Sequence, residues 1–316
     1  MKGADRVEIT IVVEGYIDML VGGSENVQRA GLKHHFDPRT LKPRAENGIS
    51  MLLEIFYGPN KYTLLFDAGL TPEVITHNFK ALGIEPSCID QIVISHGHPD
   101  HYGGLPGVLE AVGHPIPVAV HPDAFDPRYV LMASGDVIPH YNASINRSWE
   151  QLGACISYVT SPMPIGPGVF LSGEIPFEVD FEPPKAPPGQ GGGLFHVKEG
   201  QFQEDPTLDD LAVGVVVKDK GLVALTGCAH AGILNSIQQL QKASGCEQVH
   251  AVLGGFHLGF PGIPDGNVHK TIDAIKNMNP QLVAPMHCSG FQAMASFQRE
   301  MPEQFCLSMV GTKITL

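Results

Sequence analysis

Two kinds of apolar pattern alternate along the chain. Short continuous or alternating apolar stretches are typical of buried strands, and apolar residues recurring every three or four positions are typical of amphipathic helices. The predicted strands cover residues 8–13, 50–57, 62–67, 91–95, 116–121, 168–172, 211–218, 222–226, 249–254, 282–286 and 307–315. The predicted helices cover residues 72–82, 105–112, 233–244, 267–277 and 291–300.

The two halves of the chain have the same order of elements, a block of strands and then strand–helix alternation. This repetition predicts one α/β domain over residues 1–316, an αββα sandwich with two mixed sheets between outer helices. Residues from about 123 to 200 break the pattern, because PMPIGPG and EPPKAPPGQGGG are rich in turn residues. We expect an insertion there that forms a lid or a wall of a substrate pocket, with a solvated loop near 183–193.

Composition and charge indicate which kinds of binding partner are unfavourable for this protein. The 316 residues include 20 Lys and Arg against 33 Asp and Glu, a formal charge of −13, which disfavours binding to nucleic acid or to an anionic membrane. No apolar run reaches the ~18–20 residues of a membrane helix. The alternating N-terminal segment predicts a first strand rather than a signal peptide, which favours a cytoplasmic protein. The oligomeric state, including a homodimer, stays open.

Histidine is unusually frequent, with 15 residues, and one cluster stands out. The apolar strand QIVIS runs into HGHPDH, which supplies His96, His98, Asp100 and His101 within six residues. The loop lies at the carboxyl end of a strand, where α/β folds place ligands. His96 and His98 are two residues apart and share one side of an extended segment, while Asp100 and His101 turn away. One loop can therefore serve two neighbouring metal positions, and its donors suit Zn²⁺, Fe or Mn²⁺.

The remaining ligands must come from distant parts of the chain. His230, His257 and His287 each follow an apolar strand. We predict His230 and His287 as metal ligands, and His257 as a ligand, a proton donor or a residue that orients a ligand. Cys228 is a candidate thiolate ligand or a small residue packed under the metals, and Cys288 is assigned a structural role, as is His121. Weaker candidates, more simply explained as caps, turns or solvated residues, are Asp18, Ser50, Asp209 and Asp210.

The HxHxDH motif of residues 96–101 and the FDAG segment at Asp67 resemble the metallo-β-lactamase superfamily. AENGIS, SGEIP, TGCAHAGI, GGFHL and HCSG are similar to one branch of it. That branch includes proteins named 7,8-dihydropterin-6-methyl-4-(β-D-ribofuranosyl)-aminobenzene-5′-phosphate synthase, and zinc-dependent chlorothalonil hydrolytic dehalogenases resemble it too. The resemblance covers nearly the whole chain.

The resemblance implies a dinuclear site at one edge of the sandwich. One metal would be held by His96, His98 and His230, and the other by Asp100, His101 and His287. Two departures are visible. Many members bridge the metals with an aspartate where this chain has Thr226-Gly227-Cys228, and Asn47 stands where a histidine is expected.

These features predict a metal-dependent hydrolase, with two zinc ions favoured and Fe or Mn as alternatives, acting on a small ester, phosphoester or activated aryl substrate. Asp100 would orient the attacking water and His257 would protonate the leaving group. Two other functions stay open: a pterin-type synthase, and a non-catalytic metal-binding or di-iron redox protein. The superfamily's redox branch usually has an acidic residue at the position of His98. The chain contains no GxxxxGK[ST] or strand-linked GxGxxG motif, so no nucleotide cofactor is expected, and it contains no GxSxG nucleophile elbow.

Overall fold

Alternating apolar residues build two facing sheets and a third, smaller one. The computed structural model describes residues 3–132, 134–141, 145–182, 193–260 and 263–316. The strands are β1 (Arg6–Val13), β2 (Val27–Gln28), β3 (Ser50–Tyr57), β4 (Asn60–Phe66), β5 (Gln91–Val93), β6 (Ile116–Val120), β7 (Arg128–Leu131), β8 (Val137–Tyr141), β9 (Ala154–Tyr158), β10 (Met163–Gly166), β11 (Val169–Leu171), β12 (Gly193–Lys198), β13 (Gln201–Glu204), β14 (Ala212–Val217), β15 (Gly221–Thr226), β16 (Val249–Gly255), β17 (Leu282–Met286) and β18 (Lys313–Thr315).

The helices lie between and after these strands. They are α1 (Gly31–Phe36), α2 (Pro72–Leu82), α3 (Pro99–Tyr102), α4 (Leu105–Val112), α5 (Ile145–Gln151), α6 (Ile233–Ser244), α7 (Asp265–Asn277) and α8 (Gly290–Glu300), with 3₁₀ turns at Pro86–Cys88, Pro122–Phe125 and His287–Ser289. The bounds of α2, α4 and α6 are those predicted from the apolar periodicity. None of the helices in these described segments is both long and apolar enough to cross a membrane.

Each large sheet is antiparallel on one side and parallel on the other. The eight-stranded sheet has the order β2-β18-β1-β3-β4-β5-β6-β9, and its β4–β5, β5–β6 and β6–β9 pairs are parallel. The six-stranded sheet has the order β10-β11-β14-β15-β16-β17, and its β15–β16 and β16–β17 pairs are parallel. The internal repetition of the sequence is therefore real, and the carboxyl ends of both parallel halves can carry functional side chains.

Strand alternation assigns each face of the sheets to a separate core. Leu53 of β3 and Leu225 of β15 belong to the core between the sheets, whereas their neighbours Leu52 and Ala224 face the outer helices. Helices α2 and α4 cover the eight-stranded sheet, and α6, α7 and α8 cover the six-stranded sheet. The predicted αββα sandwich, two mixed sheets between outer helices, is confirmed.

The third sheet was not predicted. It is antiparallel in the order β13-β12-β7-β8, and it joins β7 to β12 across more than sixty residues of sequence. The segment predicted as an insertion, 123–200, thus supplies strands to all three sheets, since β9 extends the eight-stranded sheet and β10 and β11 extend the six-stranded one. Its role as a lid stays a prediction, and the predicted loop at 183–193 lies, apart from Gly193, outside the described residues.

The predicted strand at 307–315 was too long. Only Lys313–Thr315 pairs with β1, because the chain turns at Val310–Gly311, where Gly311 has a φ of 81°. An apolar alternation without a partner strand does not make a strand, since the backbone hydrogen bonds must be satisfied by a neighbour.

Candidate metal centre

The HGHPDH loop leaves the end of β5 and is held from below by Asp67. The Asp67 carboxylate accepts hydrogen bonds from the Ser95 backbone N–H at 2.7 Å and from Ser95 Oγ at 2.8 Å. Its Oδ2 also lies 2.8 Å from His101 Nδ1. All three side chains are fully buried. Asp67 therefore holds the Nδ1–H of His101 and directs Nε2 to the other side, the arrangement expected of a metal ligand.

Three imidazoles meet at the first candidate metal position. His96 Nε2 lies 2.9 Å from His98 Nδ1 and 3.2 Å from His230 Nε2. Ser95 Oγ donates its proton to Asp67, so it accepts in its 2.9 Å contact with His96 Nδ1. The neutral His96 ring then carries its proton on Nδ1 and leaves Nε2 without one. Two nitrogens on one tetrahedral zinc at about 2.0–2.1 Å would be about 3.3 Å apart. The donor set thus fits a cation between the three nitrogens.

Electrostatics keeps these three rings neutral. Burial, together with the other imidazoles nearby, holds the pKa of His96, His98 and His230 well below the ordinary histidine value. Neutral imidazole is the form that binds metal. His101 differs: burial alone would lower its pKa, but the carboxylates of Asp67 and Asp100 raise the pKa to about 9.

A second donor group lies beside the first. The potential ligand atoms of Asp100, His101 and His287 all lie within 4.8 Å of one another. His287 Nε2 is 3.4 Å from Asp100 Oδ2, and His101 Nε2 is 3.8 Å from Asp100 Oδ1. Both ring nitrogens of His287 are buried without a hydrogen-bond partner among the described residues. A bound cation would provide a partner for one of these nitrogens. The ring centres of His96 and His101 are 4.0 Å apart, so the two groups adjoin.

Cys228 lies between the two groups, where the sequence lacks the usual aspartate. Its Sγ is 3.3 Å from His101 Nε2, and it forms a potential ligand set with His96 and His101. Burial raises the pKa of the Cys228 thiol well above the ordinary value. The structure therefore brings a sulfur donor, rather than a carboxylate, to the position between the two candidate metals.

His257 joins this cluster from the end of β16. Its ring centre is 4.3 Å from that of His230, and its donor atom lies within 4.8 Å of those of Cys228 and His230. Its Nδ1 is buried without a hydrogen-bond partner in the described segments. These distances are compatible with each of the three roles considered from the sequence.

A buried ion-pair network that the sequence did not reveal supports the loop from the third sheet. Arg128 of β7, with 1% of its surface exposed, donates to Asp205 Oδ2 and to Asp209 Oδ1, both at 2.6 Å. Asp209 Oδ2 in turn accepts the backbone N–H of Gly97 at 2.7 Å. A Cβ at Gly97 would collide with Ala124 O and Arg128 Nη1, so only glycine fits between His96 and His98.

Some of the weaker sequence candidates lie near the centre, and others have the structural roles expected of caps and turns. Ser50 donates to the backbone carbonyl of Asp67 at 2.8 Å, and Asp210 Oδ1 lies 4.0 Å from His96 Nδ1, with its pKa raised to about 8 by burial. Asp18 instead accepts from the backbone of Leu20 in a turn. His121 receives the Asp123 N–H and contacts Glu174, as expected of a structural residue.

Three further residues lie at the centre. Glu14 accepts the backbone N–H of His287 at 2.8 Å, and burial raises its pKa to about 7. Cys288 Sγ donates to the Cys228 carbonyl at 3.4 Å. His140 of β8 places its ring centre 4.8 Å from that of His98. Glu14 and His140 reach the centre through long-range packing and had no signal in the sequence, whereas Cys288 belongs to the HCSG segment.

Known proteins are similar to this chain in sequence and fold. The family model described as "Metallo-beta-lactamase superfamily" matches residues 49–232. A 7,8-dihydropterin-6-methyl-4-(beta-D-ribofuranosyl)-aminobenzene-5′-phosphate synthase of Methanocaldococcus jannaschii is 31% identical over 91% of this chain and 96% of its own. MJ0448, an uncharacterized protein of the same organism, is 30% identical over 81% of this chain and 88% of its own.

The fold likeness extends over the whole chain. The crystal structure of Tm1679, described as a metal-dependent hydrolase of the beta-lactamase superfamily, covers 98% of both chains with a TM-score of 0.71 at 24% identity. The matched family model spans more than half of the chain, including the HGHPDH loop, Cys228 and His230. This chain belongs to the metallo-beta-lactamase superfamily.

Proposed function

We propose that this protein is a metal-dependent hydrolase that activates water against a small ester, phosphoester or activated aryl substrate. The observation that carries the proposal is the convergence of His96, His98 and His230. Nitrogens of His98 and His230 lie 2.9 and 3.2 Å from His96 Nε2, beside the Asp100, His101 and His287 group. Six donors in two adjoining sets support two metals. Nitrogen and carboxylate donors with a neighbouring thiol favour zinc, and Fe or Mn also suits the nitrogen and oxygen donors.

A divalent metal held there would supply Lewis acidity and lower the pKa of water towards about 7. The chain's own residues would do the rest. Asp67 fixes the His101 tautomer through the 2.8 Å contact to Nδ1. Asp100, whose side chain is about one quarter exposed, can accept a hydrogen bond from the attacking water and orient it. His257, beside His230, would hold the proton for the leaving group.

A specific observation favours a second function, a pterin-type synthase. The relative with that name aligns along nearly the full length of both chains. The same metal centre would then polarise a substrate during bond formation. The two functions share the donor set and differ in substrate, so they are separated by turnover and not by metal binding.

The test compares wild-type protein with His98→Ala and with the matched control His114→Ala. His114 is exposed, and its ring nitrogens contact the backbone carbonyls of Pro115 and Ser87. We expect His98→Ala to lose bound metal and the hydrolysis of whichever ester in a panel the wild type cleaves, and His114→Ala to retain both. Unchanged metal content and hydrolysis in His98→Ala would show that the centre is wrongly assigned. Turnover of pterin and ribosyl-phosphate precursors without ester cleavage would favour the synthase.

A further inference from the structure

His140 approaches the candidate metal centre from the third sheet. Its ring meets that of His98 nearly at a right angle, 80°, with the ring centres 4.8 Å apart. Among the described residues His140 belongs to no potential ligand set, whereas His98 belongs to the first. Its ring thus lies next to the donors without joining them.

A β-bulge points this side chain at the centre. Arg128 pairs with Tyr141 and Tyr129 pairs with Pro139, so His140 is the extra residue on β8, which has no hydrogen-bonded partner on its other side within the described sheet. Bulges of this kind redirect a side chain and are frequent beside active sites. Without the bulge, residue 140 would pair with a residue of β7, and its side chain would follow the regular alternation of the strand.

Buried hydrogen bonds connect the strand opposite the bulge to the HGHPDH loop. Arg128, opposite the bulge, is bonded to Asp209, and Asp209 holds the N–H of Gly97 between His96 and His98. Two buried contacts, of 2.6 and 2.7 Å, thus connect the strand paired with β8 to the loop through Asp209. The network therefore ties β7, the strand against which the bulge forms, to the residue between His96 and His98.

One nitrogen of His140 is left for an external partner. The residue is half-buried, and its Nδ1 is buried without a hydrogen-bond partner among the described residues. A buried polar atom without a partner is costly, so a group that enters the centre and bonds to it is favoured. Beside a cation site, the group that accepts an N–H bond and also binds metal is an anionic oxygen.

We infer that His140 is a substrate-contacting residue of this centre, where its N–H bonds an anionic oxygen of the substrate, either phosphoryl or carboxyl. This inference rests on the proposed function for the presence of metal. It extends that function by assigning the third sheet a part in substrate recognition.

The experiment measures the binding of inorganic phosphate and of acetate to metal-loaded protein by calorimetry, alongside metal content. The variants are His140→Ala, His140→Gln, which keeps a side-chain N–H, and the exposed control His114→Ala. We expect one of the two anions to bind the wild type, and His140→Ala to weaken that binding by about tenfold to a hundredfold. His140→Gln should recover part of the loss, and metal content should be equal in all four proteins.

Three results would overturn the inference: equal anion affinity in His140→Ala and wild type, loss of metal from His140→Ala, or no binding of either anion to the wild type. Phosphate binding alone would identify phosphoryl recognition, and acetate binding alone carboxyl recognition. Because anion binding needs no turnover, its outcome is independent of whether the ester panel supports a hydrolase.

Discussion

The HGHPDH loop and the strand ends that meet it are held in place by different means. In the loop, buried charged groups hold the backbone: Asp67 bonds the N–H of Ser95, and Asp209 bonds the N–H of Gly97. At the strand ends, backbone conformation places the side chains, because His257 and His287 have φ values of 52° and 53°. Left-handed backbone at a non-glycine residue costs on the order of 1–3 kcal/mol and persists only where the surroundings enforce it.

This difference predicts how strongly single substitutions disturb each half of the centre. The loop depends on a few buried carboxylates and one arginine, so a single side-chain change can release it. The strand ends depend on the parallel pairing of β15, β16 and β17, which no single side chain controls. Single substitutions should therefore act more strongly on the loop.

The largest effect is expected from Arg128→Met. Removing the guanidinium leaves Asp205 and Asp209 buried without their cation, and breaking such a pair from one side costs about 3–5 kcal/mol of unfolding free energy. Arg6→Met is the control, since Arg6 is half-exposed beside Glu8 and its ion pair contributes about 1 kcal/mol or less. Urea unfolding measures both. Equal losses would mean that the buried network does not hold the loop.

On the strand-end side, Glu182→Gln should change the pH dependence of stability. Glu182 accepts the N–H groups of Leu234 and Asn235 at the start of α6, but burial outweighs these bonds and raises its pKa from 4.5 to about 7. Between these values the unfolded chain ionises while the folded chain stays protonated. The wild type should therefore lose stability as the pH rises from 4.5 to 7, by about 3 kcal/mol at most.

Urea unfolding at pH 5 and pH 8 tests this expectation. Glu182→Gln should flatten the profile, whereas Glu178→Gln, an exposed partner of Lys242, should leave it as in the wild type. A slope that survives in Glu182→Gln would assign the pH dependence to another group.

Asp67→Asn tests how much the buried carboxylate below the HGHPDH loop contributes to metal affinity. The amide keeps the shape of the carboxylate but provides one oxygen where two now accept bonds from Ser95 and His101. Metal affinity at the Asp100, His101 and His287 position should fall by about tenfold to a hundredfold. Competition with a chromophoric chelator measures it. Asp90→Asn, which changes a carboxylate bonded to the Thr63 N–H, should not alter metal affinity.

The smallest effect is expected from Cys228→Ser. If the Cys228 sulfur, 3.3 Å from His101 Nε2, binds metal, cobalt-loaded protein should show sulfur-to-cobalt charge-transfer absorption that the variant lacks. The preference for zinc over manganese should then fall by about tenfold, because thiolate is a soft ligand. The exposed Cys155→Ser keeps both properties. Absorption that persists in Cys228→Ser would exclude the sulfur as a ligand.

Patterns within short segments of the sequence correctly predicted the elements that depend on interactions between neighbouring residues. The periodicity predicted α2, α4 and α6 with their bounds, because an amphipathic helix carries its signal within one segment. The same reasoning found the HGHPDH loop and the strand ends at His230, His257 and His287. It missed the third sheet, whose β7–β12 pairing places Arg128 opposite His196, since no short window contains both partners.

The amino-acid sequence by itself determined the two mixed sheets, their outer helices and the donor residues, since alternation, spacing and residue chemistry are properties of neighbouring positions. Tertiary structure alone decided which donors meet. It brought His230 to His96 and His98, set Cys228 beside His101, and turned His140 towards His98. These contacts depend on strand pairing and buried charge between segments far apart in the chain, and such pairings are selected by the free energy of the whole fold.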